Sequence, residues 1–187
     1  MASSLRVFLY LLLPLLSGLG GRFLVKEEAS GKGMKGIIPV GVLILASFLL
    51  HLDLPDLLFF SLFLVSALTD QETGMVYELP LYLLAPIALW KFYTRQSYVV
   101  AIFLLLLAAH RKSPKFQYYM GEGDLWLLLL LSMAYGRLVF YILVYAAVLG
   151  LIYGAVRRKR EVWFAPFLFY GLLLSQFHEI NKLFHIF

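Results

Sequence analysis

Two carboxylates set beside apolar sequence are the residues best suited to chemistry in this chain. Asp70 follows an apolar run at residues 57–69. Asp124 ends the tetrapeptide Gly121-Glu122-Gly123-Asp124 and precedes a second apolar run at 125–131. An ionisable residue against hydrocarbon is costly and marks a functional site by default. Amide hydrolysis needs a nucleophilic water and an electrophilic carbonyl. Two carboxyls sharing one proton supply both, one taking a proton from water while the other donates to the carbonyl oxygen. Like charges held close cannot both ionise cheaply, so such a pair titrates as a unit. Gly121 and Gly123 permit a close backbone approach that a Cβ would block, leaving room for an extended peptide beside Asp124.

Each aspartate also has a simpler structural reading. An acid at a helix start satisfies free N–H groups and the dipole, which would account for Asp124. Asp70 sits at the carboxyl end of its run, where the dipole favours cations, so capping does not explain it. Glu72, Glu78 and Glu122 read as solvated loop acids that would attract a basic substrate segment. Other chemistries find no support. There is no cysteine, and the four histidines (His51, His110, His178 and His185) form no cluster. Without an H-E-x-x-H pattern or thiolates, no metal or other cofactor is expected. No G-x-S-x-G elbow is present. Gly31-Lys32-Gly33-Met34-Lys35-Gly36 matches G-x-G-x-x-G formally, but it lies between apolar runs without a strand before it, and reads as a solvated loop.

The elements that must position the two aspartates follow from composition. The 187 residues are 62% hydrophobic and 14% charged, with a mean hydropathy of +0.85. Soluble domains are about 45–50% apolar and about 25% charged. The chain therefore reads as an all-α, polytopic integral membrane protein, a single helical bundle over 1–187. The net charge of +5 needs no nucleic acid, since basic residues in short loops account for it. Eight apolar runs are expected to cross the bilayer: 7–19, 37–52, 57–69, 79–93, 97–110, 124–136, a seventh ending before Arg157, and 162–177. The first could pass for a cleavable signal peptide and is taken as a retained helix. Pro86 falls within the fourth and is a candidate kink. Residues 178–187 read as a short amphipathic tail along the interface.

Eight crossings place alternate loops on opposite sides. One set, 22–36, 70–78, 111–123 and 157–161, carries 11 Lys and Arg; the other carries 5. The positive-inside rule puts the richer set in the cytoplasm. Asp70 then closes an inward-going helix and Asp124 opens an outward-going one, so both reach the cytoplasmic face at similar depth.

These residues resemble a known family. Gly121-Glu122-Gly123-Asp124 before an apolar helix is similar to the second catalytic motif of the type IV prepilin peptidases, the G-x-G-D aspartic membrane proteases. Ala67-Leu68-Thr69-Asp70-Gln71-Glu72-Thr73-Gly74 resembles their first motif, and Trp163-Phe164-Ala165-Pro166-Phe167-Leu168-Phe169-Tyr170-Gly171 resembles a stretch of their last helix. Gly18-Leu19-Gly20-Gly21-Arg22-Phe23-Leu24 is similar to the end of the first helix in full-length bacterial members. The resemblance implies a catalytic pair, Asp70 and Asp124, with Pro166 and Phe167 shaping the site. It implies a prepilin or pseudopilin substrate, with a short basic leader and an apolar helix, cut after a Gly at the cytoplasmic face of the inner membrane.

The departures narrow that expectation. Val76-Tyr77-Glu78 stands where the family often has Ile-Pro-Asn, and Trp126 where a Lys commonly follows the second motif. The zinc-binding, cysteine-containing domain that supports N-methylation in large members is replaced by the short loop 22–36, so the resemblance implies peptidase without methyltransferase. Two alternatives stand beside this reading. A presenilin-like intramembrane protease shares G-x-G-D but carries Pro-Ala-Leu where this chain has Ala165-Pro166-Phe167. A non-catalytic membrane subunit or small transporter would use the acids as ion ligands.

Overall fold

The computed structural model describes residues 2–26, 37–95, 97–158 and 163–184. The loop motif at 31–36, most of the basic linker and residues 159–162 of the last basic run lie outside the described residues. Among the described residues the chain is all-α, with nine helices and no strand: α1 Ala2–Lys26, α2 Ile37–Leu49, α3 Leu54–Thr73, α4 Glu78–Arg95, α5 Val99–Lys112, α6 Pro114–Tyr119, α7 Glu122–Tyr135, α8 Leu138–Arg157 and α9 Phe164–Phe184. Eight of these coincide with the eight apolar runs.

The differences lie at the ends and have local causes. The polar turn before the third run is the start of α3 itself. Asp53 caps it, accepting the Asp56 N–H at 2.8 Å, and Pro55 stands in the first turn, where its missing N–H costs nothing. At the other end Gly74, with φ +72°, closes α3 in the left-handed conformation, and its N–H bonds to the Asp70 carbonyl at 2.8 Å. The expected loop 111–120 contains the short helix α6, with Ser113 as cap and Pro114 in its first turn. The expected interfacial tail is not a separate element, because α9 continues to Phe184.

α3 is the centre of the bundle. It packs against α1, α2, α4 and α9, and Phe59, Phe60, Phe63 and Leu64 on it are fully buried. α7 lies between α4 and α5. α3 and α7 run antiparallel and meet through side chains. Asp56 near the start of α3 accepts a hydrogen bond from the Tyr135 hydroxyl at the end of α7, at 2.7 Å, and the Tyr135 ring packs edge-on against Phe59.

α8 is held chiefly by α9. The close approach depends on Gly171, where a Cβ would lie 2.5 Å from the Ile142 carbonyl oxygen. α8 exposes Val144, Val148, Leu151, Ile152 and Val156. The most apolar stretch of α8 is only 17% buried, against 67% for that of α3, and these two helices are long and apolar enough to cross a membrane. Shorter apolar helical stretches lie at Leu5–Gly21, Ile38–Leu49 and Phe164–Phe177. Overpacking a tight contact costs about 1–3 kcal/mol, so Gly171→Ala should lower the thermal unfolding midpoint in detergent. Gly20→Ala, where an added Cβ meets nothing within 4 Å and alanine is the better helix former, should not lower it.

Candidate active site

The carboxylates selected from the sequence meet at one end of the bundle. Asp70 lies in the last turn of α3 and Asp124 in the first turn of α7. Asp70 is buried and Asp124 half-buried, and they are near enough for the charge of one to act on the other. Asp70 is anchored from a third helix. Its Oδ2 accepts the backbone N–H of Ala165 at 3.1 Å. The first N–H groups of a helix have no partner within it, and the dipole there favours an anion. The dipole of its own helix offers Asp70 nothing, but α9 supplies both a donor and a favourable field.

The start of α9 is placed by the end of α3. Trp163, just before α9, lies on Gly74, where a Cβ would come within 2.6 Å of its ring. Pro166 occupies the first turn of α9 and is buried, a position where its missing N–H costs no helical hydrogen bond. Phe167 points to the other side of α9, where its ring meets Tyr153 of α8 at 5.5 Å between centroids. Pro166 thus follows Ala165, the donor to Asp70, whereas Phe167 packs in the α8–α9 contact.

The glycines act differently from the sequence expectation. Gly121 is the cap residue of α7 with φ −67°, an ordinary conformation for any residue. A Cβ there would meet only the Asp124 Oδ2, at 3.6 Å. Gly123 is the constrained one, because a Cβ would fall 2.8 Å from the Cβ of Val76. The close approach is to the connector that follows α3, so it ties the two aspartate-bearing segments together. Asp124 is three residues past the cap, in the first turn of α7, where the dipole of its own helix favours a carboxylate.

Glu122 is exposed. It accepts from Arg111 at 3.2 Å and from the Trp126 indole N–H at 3.4 Å; an ion pair this exposed contributes little to stability. Glu78 is also exposed and accepts from the Tyr82 hydroxyl at 3.2 Å. Glu72 is half-buried in the last turn of α3.

One residue had been set aside on sequence grounds. His110 is buried near the end of α5, and its Nε2 lies 2.9 Å from the carbonyl oxygen of Met120, the residue before Gly121. A carbonyl only accepts, so Nε2 carries the proton. The ring packs edge-on against Phe116, and the Gln117 amide donates to the His110 carbonyl at 3.1 Å. α5 and α6 thus hold the strand of backbone that leads into Asp124. A histidine eleven residues before a glycine carries no sequence pattern that would have revealed this.

Among the described residues no group of three or more His, Asp or Glu side chains is arranged to hold a metal ion. The arrangement suits general acid–base chemistry by two carboxyls. His110→Phe removes the donor to Met120, while His110→Gln keeps an N–H at a similar reach. Amide exchange at residues 120–123 should accelerate by about tenfold in the Phe variant and stay near the parent rate in the Gln variant, read by hydrogen–deuterium exchange. No family model matches the chain, and no curated protein or solved structure matches it either.

Proposed function

We propose that this protein is a membrane-embedded aspartic endopeptidase of the prepilin-processing kind, with Asp70 and Asp124 as its catalytic pair. The observation that carries the reading is the convergence of these two aspartates, 54 residues apart in sequence, on one end of the bundle, close enough for the charge of one to act on the other. A water between them loses a proton to the ionised carboxyl as its oxygen attacks the peptide carbonyl. The protonated carboxyl donates to the carbonyl oxygen. Collapse breaks the C–N bond, the amine leaves with a proton, and the pair again shares one proton. The α9 N-terminus holds Asp70 still while this happens, and Gly123 keeps the Asp124 backbone against the connector after α3.

The membrane setting is part of the proposal. Eight helices, all but the short α6, cross the bilayer, with the aspartates at the cytoplasmic face of the inner membrane. The broad apolar exterior of α8 and the basic loops at the Asp70 end support this. Glu72, Glu78 and Glu122 share that end, a suitable neighbour for a short basic leader. The substrate is a prepilin or pseudopilin cut after a Gly between leader and apolar helix. Methyl transfer is not proposed, because the linker between the first two helices is short and the chain has no cysteine.

The test is cleavage of a prepilin-type substrate by purified protein in liposomes. Positioned acid–base groups each contribute about 10²–10⁴-fold, so Asp70→Asn and Asp124→Asn should each reduce the rate at least that far without loss of fold. Glu122→Gln should retain most of it, and a metal chelator should have no effect. Activity surviving either aspartate substitution would overturn the reading. Single cysteines introduced at Met75 and Lys115 should react with an impermeant maleimide only from the cytoplasmic side, and one at Tyr98 only from the opposite side. The reverse pattern, or Met75 and Lys115 on different sides, would sink the proposed topology.

A further inference from the structure

The far end of the α3–α7 pair holds a buried ionic cluster that the proposed chemistry does not use. Lys91 of α4 is 5% exposed and forms an ion pair with Asp56 of α3. The same Asp56 oxygen accepts the Tyr135 hydroxyl of α7 at 2.7 Å, and the Lys91 ammonium lies 4.7 Å from the centre of the Tyr135 ring. Asp53 fixes Asp56 in turn through its N–H. Three helices are thus tied at one point by side chains whose hydrogen bonds and charges satisfy one another. Burying an ion pair of this kind is rarely the cheapest route to stability, and its best-attested use is to fix register.

The two carboxylates themselves do not set register. Asp70 and Asp124 bear like charge, so they do not draw α3 and α7 together. An α-helix rises 1.5 Å per residue, which puts the cluster roughly 21 Å from Asp70 along α3 and roughly 16 Å from Asp124 along α7. Helices are axially stiff over such lengths, so a slide or rotation prevented at one end is prevented at the other. We infer that Asp56, Lys91 and Tyr135 are positioning residues, a clamp that sets the register of α7 on α3 and so holds Asp124 against Asp70. The catalytic consequence rests on the peptidase reading; the geometric one does not.

The experiment separates the two. Nitroxide labels on cysteines replacing Met75 and Glu122, both exposed and flanking the carboxylates, report the distance between the end of α3 and the start of α7 by dipolar EPR. The native chain has no cysteine to interfere. Lys91→Met and Tyr135→Phe should broaden or shift the distance distribution of the folded protein, while Lys91→Arg, which keeps the charge, should restore it. In the unlabelled protein, kcat should fall by about tenfold or more with KM little changed, because small misplacements of reacting groups are costly. A distribution unchanged in folded Lys91→Met and Tyr135→Phe, whatever their thermal midpoints, would reduce the cluster to a stability element and overturn the inference. Should Lys91→Met not fold, Tyr135→Phe, which loses one hydroxyl, decides alone. If the unlabelled parent cleaves no substrate, the peptidase reading falls and the distance measurement still judges the clamp.

Discussion

A carboxylate buried in a helical bundle must find a donor, and much of this architecture follows from where Asp70 finds one. The donor is a backbone N–H of Ala165, 95 residues on in the chain. For that group to be free, a helix must begin there, and for it to be in reach the beginning must lie on the end of α3. Trp163 seated on Gly74 and the left-handed turn at Gly74 make this meeting possible. Pro166 suits the same place because the first turn has no hydrogen bond for it to break. Side chains that look unrelated in sequence thus serve one electrostatic requirement.

Asp124 is held by a different means. No helix terminus is aimed at it from elsewhere. Its position comes from steric fit at Gly123 against Val76 and from the strap that His110 places on the Met120 carbonyl. The two carboxyls of the candidate site therefore sit in unequal surroundings, one facing the start of another helix and one in the first turn of its own. Unequal surroundings are what a pair needs if a single proton is to have a preferred holder.

The helices were legible in the sequence because hydropathy alone marks runs of this length, and the shared end of Asp70 and Asp124 followed from counting them. The ends of elements were less legible. Asp53-Leu54-Pro55 and Ser113-Pro114 look like polar turns but are helix starts, since a cap residue and a first-turn proline are themselves turn-like. The site beyond the two aspartates was hidden for another reason. The donor to Asp70 is a backbone group, which no residue type advertises. Asp56, Lys91 and Tyr135 lie 35 and 79 residues apart in their pairings, and nothing local in the sequence couples them. Lys91 falls within the fourth apolar run, where nothing local marks it as the residue buried among three helices.

The contrast between α3 and α8 bears on how such a bundle assembles. α8 is uniformly apolar, mostly unburied, and attached chiefly to α9 through a glycine contact. α3 carries Asp56 and Asp70 and is enclosed by its neighbours. In a bilayer α8 would be at home alone, needing no companion to enter the lipid. α3 presented by itself would bring two carboxyls into hydrocarbon without the lysine, tyrosine and helix terminus that later satisfy them. Their partners, Lys91, Tyr135 and Ala165, are all synthesised after α3, the last of them 95 residues after Asp70. On the proposed membrane reading, the central helix is the one whose insertion would wait for the rest of the chain, and a translocon that retained it until α9 emerged would spare it that interval.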